Sequence, residues 1–146
     1  MSMRRLSYAA LMVALGLTGV YAETIPNFEV LTLVVFASGL LLGARDGALV
    51  GGVTEAIYSM LNPYGPAHPL VTIAQVAGMA TSGAAGGIAA RLGLGRVHAV
   101  PRAAMLVGLG VVLTAVFDLL TNLATGVLFG QMRATLIGGL DRKSVV

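Results

Sequence analysis

Glu55, Tyr58, Ser59 and Asn62 stand three or four residues apart, so on a helix they share one face. Thr72 and Gln75 follow in the next apolar segment, and Thr114, Asp118, Asn122 and Thr125 recur along the last one. A few convergent carboxylates, amides, hydroxyls and tyrosines in apolar surroundings are what orients a small molecule in a binding site. Catalysis has less to stand on. There is no HExxH, no GxSxG and no cysteine, and Ala80-Thr81-Ser82-Gly83 lacks the first glycine of a GxSG. Without a GxxxxGK[ST] loop the chain has no usual way to bind ATP, so energy coupling would have to come from partners or an ion gradient. The expectation is a non-enzyme with no cofactor and no metal site.

These residues sit in a chain that is 57% hydrophobic and 10% charged, with mean hydropathy +0.90. Such a composition suits lipid-facing helices rather than a soluble globule. Five apolar segments run from Leu6 to Ala22, Phe28 to Gly43, Gly47 to Leu61, Leu70 to Leu92 and Ala103 to Phe129. The second and third are short for a span of about 20 residues and need flanking residues or a thinned bilayer. Arg4 and Arg5 precede the first segment, Arg45, Arg96 and Arg102 fall in the second and fourth loops, and Arg91 ends the fourth segment beside the fourth loop; the first and third loops carry no lysine or arginine. Cations resist translocation, which predicts a cytoplasmic N-terminus. Orientation also accounts for the +3 net charge without a nucleic-acid partner. The expected fold class is all-α: a polytopic membrane helix bundle of five transmembrane helices, with a sixth missing at the C-terminus.

Residues 1–140 read as one membrane-embedded domain. Val20-Tyr21-Ala22 after a basic start and an apolar run has the look of a signal-peptide cleavage region, but cleavage would remove a segment with its own packing motif, so the first helix is expected to stay. Gly43-Ala44-Arg45-Asp46-Gly47 reads as a tight turn, with Asp46 placed to cap the third helix. At the other end Asp141-Arg142-Lys143-Ser144-Val145-Val146 back-translates to the start of a common short-read sequencing adapter and reads as a non-native scar. Gly130 to Leu140 would then be the loop that leads into a sixth span, which would cover the Thr114–Asp118–Asn122 stripe.

Small residues recur every fourth position: Ala10 and Ala14; Gly39, Gly43, Gly47 and Gly51; Ala74, Gly78, Ser82 and Gly86. That spacing makes packing faces on which helix backbones approach closely. For the second to fourth helices the expected contact is within the subunit, whereas Ala10 and Ala14 suit either an internal or an external partner. Ionisable groups at membrane depth are costly, so Glu55 and Asp118 are expected to face the protein interior. Asn27, Glu29, Asn62, Tyr64, His68 and Gln75 belong to the same outer side, where they would converge on one extracytoplasmic mouth. His68, between prolines, reads as a loop residue rather than a ligand.

The whole pattern resembles the substrate-binding S components of energy-coupling factor (ECF) vitamin transporters. The resemblance covers Leu6 to Leu140 and rests on Ala10 and Ala14, on PNFEVLTLVV at Pro26 to Val35, on GLLLGARDGALVGGVTE at Gly39 to Glu55, and on NPYGP followed by QVAGM at Gln75 to Met79. Members of the family have six helices with both termini inside. The resemblance implies capture of a vitamin-like small molecule outside the cell, followed by association with a transmembrane coupling subunit and two cytoplasmic ATPases. It also implies roles for individual residues: Ala10 and Ala14 would form the docking face, and Asn27, Glu55, Tyr58, Asn62, Tyr64, Gln75, Asp118 and Asn122 would contact substrate, with the tyrosines stacking on a ring. The alternatives are a rod-shape MreD-like membrane scaffold and an ion-coupled secondary carrier, although no inverted second set of helices is present.

Overall fold

The computed structural model describes residues 2–21, 30–62 and 65–129, and the regular structure among them is entirely helical. Helix α1 is Met3–Tyr21, α2 Val30–Leu42, α3 Ala44–Met60, α4 Pro69–Arg91 and α5 Ala99–Phe129, with a 3-10 turn at Leu94–Arg96 between the last two. Each of the five apolar segments therefore holds one helix, and the all-α expectation is met. Asn27, Glu29 and Tyr64, together with the C-terminal stretch that carries the scar and sixth-span readings, lie outside the described residues.

The five-residue turn expected between α2 and α3 is a single residue. Gly43 has φ 97° and ψ 167°, a backbone geometry that costs side-chain-bearing residues dearly. Helical hydrogen bonding runs up to it, from Gly43 N to Gly39 O (2.9 Å), and restarts from it, from Gly47 N to Gly43 O (2.9 Å). Gly43 is the N-cap of α3, and no side chain caps that end. Asp46 is thus not the cap predicted for it. Its position one turn into α3 sends the carboxylate toward Arg5 of α1, 3.5 Å from Nε.

Reversal at Gly43 lays α2 and α3 side by side, and α4 packs on both. The approach is backbone to backbone. A Cβ on Gly39 would collide with Gly83 O, one on Gly83 with Gly47 O, one on Gly51 with Met79 O and one on Gly86 with Phe36 O. The small-residue faces of α2 to α4 accordingly close on one another inside the chain, as their spacing predicted. On α4, however, Gly83 and Gly87 take closer contacts than the four-residue stripe through Ala74 and Gly78 suggests, and Gly78 meets Phe117 of α5 instead. α1 covers α2 and α3, burying Ala9 beside Leu42 and Val50; α5 lies along α4.

The interior mixes apolar and polar side chains, and the exterior is strongly apolar. Ser38, Thr54, Ser82 and Glu55 are at most 2% exposed, while Leu33, Leu41, Ile73, Val107 and Val111 are 65–71% exposed. The buried hydroxyls bond their own helix backbone, Ser38 to Val35 O at 2.7 Å and Thr54 to Val50 O at 2.6 Å, which satisfies them without water. Among the described residues, α5 is the one helix long and apolar enough to cross a membrane by itself, with mean hydropathy 2.3 over Ala99–Leu128.

Candidate functional site

Glu55, Ser59 and Gln75 meet where α3 packs on the first turns of α4. Ser59 Oγ lies 3.3 Å from Glu55 Oε1 and 3.2 Å from the Gln75 amide oxygen. A hydroxyl has one proton, so it cannot donate to both. The chain closes consistently in two ways: a protonated Glu55 donates to Ser59 and Ser59 to Gln75, or the Gln75 amide turns over, donates to Ser59, and Ser59 donates to Glu55. Either way the three side chains act as one unit. Glu55 and Ser59 are buried and Gln75 is half-buried, so the amide is the member nearest to open space.

An aromatic pair borders this network. Tyr58, on the same helix as Glu55, meets Tyr21 edge-to-face, with ring centroids 5.8 Å apart and planes at 63°. Tyr21 Oη donates to Leu61 O (3.1 Å), which fastens the end of α1 to the end of α3. Asn62 follows directly and is half-buried. His68 is occupied structurally: its Nδ1 accepts from Leu70 N at 3.3 Å and caps α4, whose first residue is Pro69. Ala67 N donates to Ser59 O (3.3 Å), so the loop before α4 is tied to the same place.

The structure thus joins Glu55 and Gln75 of the expected set through Ser59 and places Tyr58 and Asn62 at the same end of α3, while Asn27 and Tyr64 lie outside the described residues. It does not bring in Asp118. That carboxylate is exposed on α5, and Asn122 is half-buried one turn further on. The expectation that Asp118 faces the interior fails among the described residues, because α5 meets the bundle chiefly through α4 and turns most of its surface outward. Thr114, at the start of that stripe, lines an apolar cavity of about 290 Å³ between α2 and α5 with Thr32, Leu33 and Phe36. No three His, Asp or Glu side chains gather as a metal site among the described residues.

Ala10 and Ala14 point away from the bundle, whereas neighbouring Ala9 is buried. Ala10 lines an apolar groove of about 400 Å³ between α1 and α3, floored by Ala9 and Val50 and flanked by Leu6, Leu49 and Val53.

Compared with known proteins, the chain matches no family, no curated protein and no solved structure.

Two residues that sequence reasoning passed over are prominent in this arrangement. Tyr21 was absorbed into a signal-peptide-like pattern, and only the packing of α1 against α3 brings it to Tyr58. Arg5, read as an orientation signal, donates from Nη2 to Leu42 O at 2.7 Å and faces Asp46. An arginine one turn into an apolar helix offered a faint hint of an acceptor nearby. Nothing local showed that the acceptors would lie at the α2–α3 junction.

Proposed function

We infer that this chain is a multi-pass membrane protein, the substrate-capturing subunit of an ECF-type importer in a prokaryotic plasma membrane. It binds a vitamin or related small molecule on the extracytoplasmic side and hands it inward with a transmembrane coupling subunit and two cytoplasmic ATPases. The observation that carries this reading is the linked Glu55–Ser59–Gln75 network beside the Tyr21–Tyr58 pair, at the end of an apolar-surfaced bundle opposite its arginines. Aromatic faces and a fixed set of donors and acceptors are the elements of small-ring recognition. Apolar exteriors on α1 to α4, as well as on α5, support several spans rather than one. At about 1.5 Å per residue, the 13 residues of α2 cover about 20 Å, so that span draws on flanking residues or local thinning. The open groove at Ala10 supports docking through α1, since small residues let a partner helix come close.

A ligand that binds only the folded state raises its melting temperature. The test is a thermal-shift screen of vitamins against the purified protein in detergent, repeated with Gln75→Ala. At least one vitamin is expected to stabilise the parent and to do so more weakly in the variant. If a demonstrably folded protein responds to no vitamin, the capture role falls and the scaffold reading takes its place. Uptake that survives ATP depletion but collapses with the ion gradient would select the secondary carrier.

A further inference from the structure

We propose that the cavity at the α2–α3 junction is a binding site for a phosphate-bearing anion, and that in the membrane its occupant is an anionic lipid headgroup. The cavity has a volume of about 260 Å³ and is lined by Arg5, Leu42, Gly43, Arg45, Asp46 and Arg91, among others. Three helices contribute its charges: Arg5 from α1, Arg45 and Asp46 from α3, and Arg91 from the last turn of α4. The one carboxylate is engaged by Arg5, at 3.5 Å, and Arg5 spends a further donor on Leu42 O. Arg45 and Arg91 are both exposed and have no acceptor among the described residues. Two guanidinium groups with unspent donors therefore face one concavity that carries an excess of two positive charges.

Guanidinium groups match phosphate oxygens in planar, two-pronged geometry, and in a concave site the fields of several add. The first turn of α3 borders the same cavity, with Gly43, Ala44, Arg45 and Asp46 all in its lining. Basic pockets between helices on the cytoplasmic side of a membrane are where anionic headgroups bind. Assignment of the phosphate to a lipid rests on the membrane reading, whereas the anion chemistry does not. Neither depends on which substrate, if any, the other end takes.

The experiment uses the full chain reconstituted in discs of phosphatidylcholine, alone or in equimolar mixture with phosphatidylglycerol. Native mass spectrometry counts retained phosphatidylglycerol, and thermal shift in neutral detergent measures the response to added phosphatidylglycerol or to inorganic phosphate. The parent is expected to retain phosphatidylglycerol selectively. Arg45→Gln/Arg91→Gln should raise the half-saturating concentration about twenty-five-fold, at roughly fivefold per surface arginine. Both residues are exposed and unbonded, so the variant keeps its fold, and Arg45→Lys/Arg91→Lys should recover part of the binding. Arg96→Gln/Arg102→Gln removes the same charge outside the cavity and should leave retention intact. A response to inorganic phosphate with the same dependence on Arg45 and Arg91, and none to the lipid, would identify a soluble phosphoanion as the occupant. Equal retention by the parent and Arg45→Gln/Arg91→Gln, or equal loss in Arg96→Gln/Arg102→Gln, overturns the site in favour of a diffuse basic surface.

Discussion

Arg5 holds two groups that would otherwise go short: the Leu42 carbonyl at the end of α2 and the carboxylate of Asp46, whose side chain is 10% exposed in the first turn of α3. Asp46 Oδ2 has no hydrogen bond in the described structure, and its 3.5 Å ion pair with Arg5 is its compensation. Removing one partner of such a pair costs more than the pair contributes, because the remaining charge is left buried. Arg5→Ala is therefore expected to destabilise the protein by roughly 1–3 kcal/mol, and Arg5→Ala/Asp46→Asn by less, measured by denaturation in detergent. Additive losses would show that the two residues act separately. Tyr21 tests the other end of the same helix: Tyr21→Phe keeps the edge-to-face pair with Tyr58 and loses only the bond to Leu61 O, so about 1 kcal/mol or less should disappear.

Helix packing separates glycines that look alike in sequence. Gly39 faces the Gly83 carbonyl of α4 with no room for a methyl group, whereas Gly52 would place a Cβ at 3.7 Å from Val76 and 3.9 Å from Ala80, an ordinary contact. Gly39→Ala should thus cost roughly 1–3 kcal/mol through forced separation of α2 and α4. Gly52→Ala should instead stabilise by up to about 1 kcal/mol, from helix propensity and added contact. Parallel unfolding curves decide the matter, and a reversal of the order would refute the close α2–α4 crossing. On α1 the exposed Ala10 and Ala14 have no such internal partner, so Ala10→Leu/Ala14→Leu is expected to leave stability within about 0.5 kcal/mol and, under the proposed function, to block co-purification of the proposed coupling subunit by steric exclusion. Unchanged recovery of the complex would take α1 out of the interface.

At the scale of the whole molecule, many large apolar side chains such as Leu33, Leu41, Ile73 and Val107 lie on the exterior while Ser38, Thr54, Glu55 and Ser82 are buried with the apolar core, an arrangement that lipid tolerates and water penalises. The proposed orientation makes a concrete expectation. Because the chain has no cysteine, single cysteines report without background. In intact cells Pro66→Cys, in the loop before α4, should react with a membrane-impermeant maleimide. Gly95→Cys, between α4 and α5 with nothing within 4 Å of an added Cβ, should react only after lysis. Equal labelling of both in intact cells contradicts an alternating multi-pass topology.

Element identity was legible in the sequence because apolar runs and proline-rich breaks are local properties: each marked segment holds one helix, although α1, α3, α4 and α5 begin one to four residues before the segment does. Glycine spacing on α2 to α4 announced close crossings for the same reason, since a helix face is set by sequence interval alone. Part of the candidate site was equally visible: Glu55, Tyr58, Ser59 and Asn62 share a face by spacing. Which residues of other helices join that face was not, because it depends on how helices cross. Tertiary packing brought Gln75 to Ser59 and Tyr21 to Tyr58, left Asp118 exposed on α5, and turned Asp46 from an expected cap into the ion-pair partner of Arg5. Periodicity along one chain says which way a side chain leaves its own helix; only the crossing of two helices decides what it meets there.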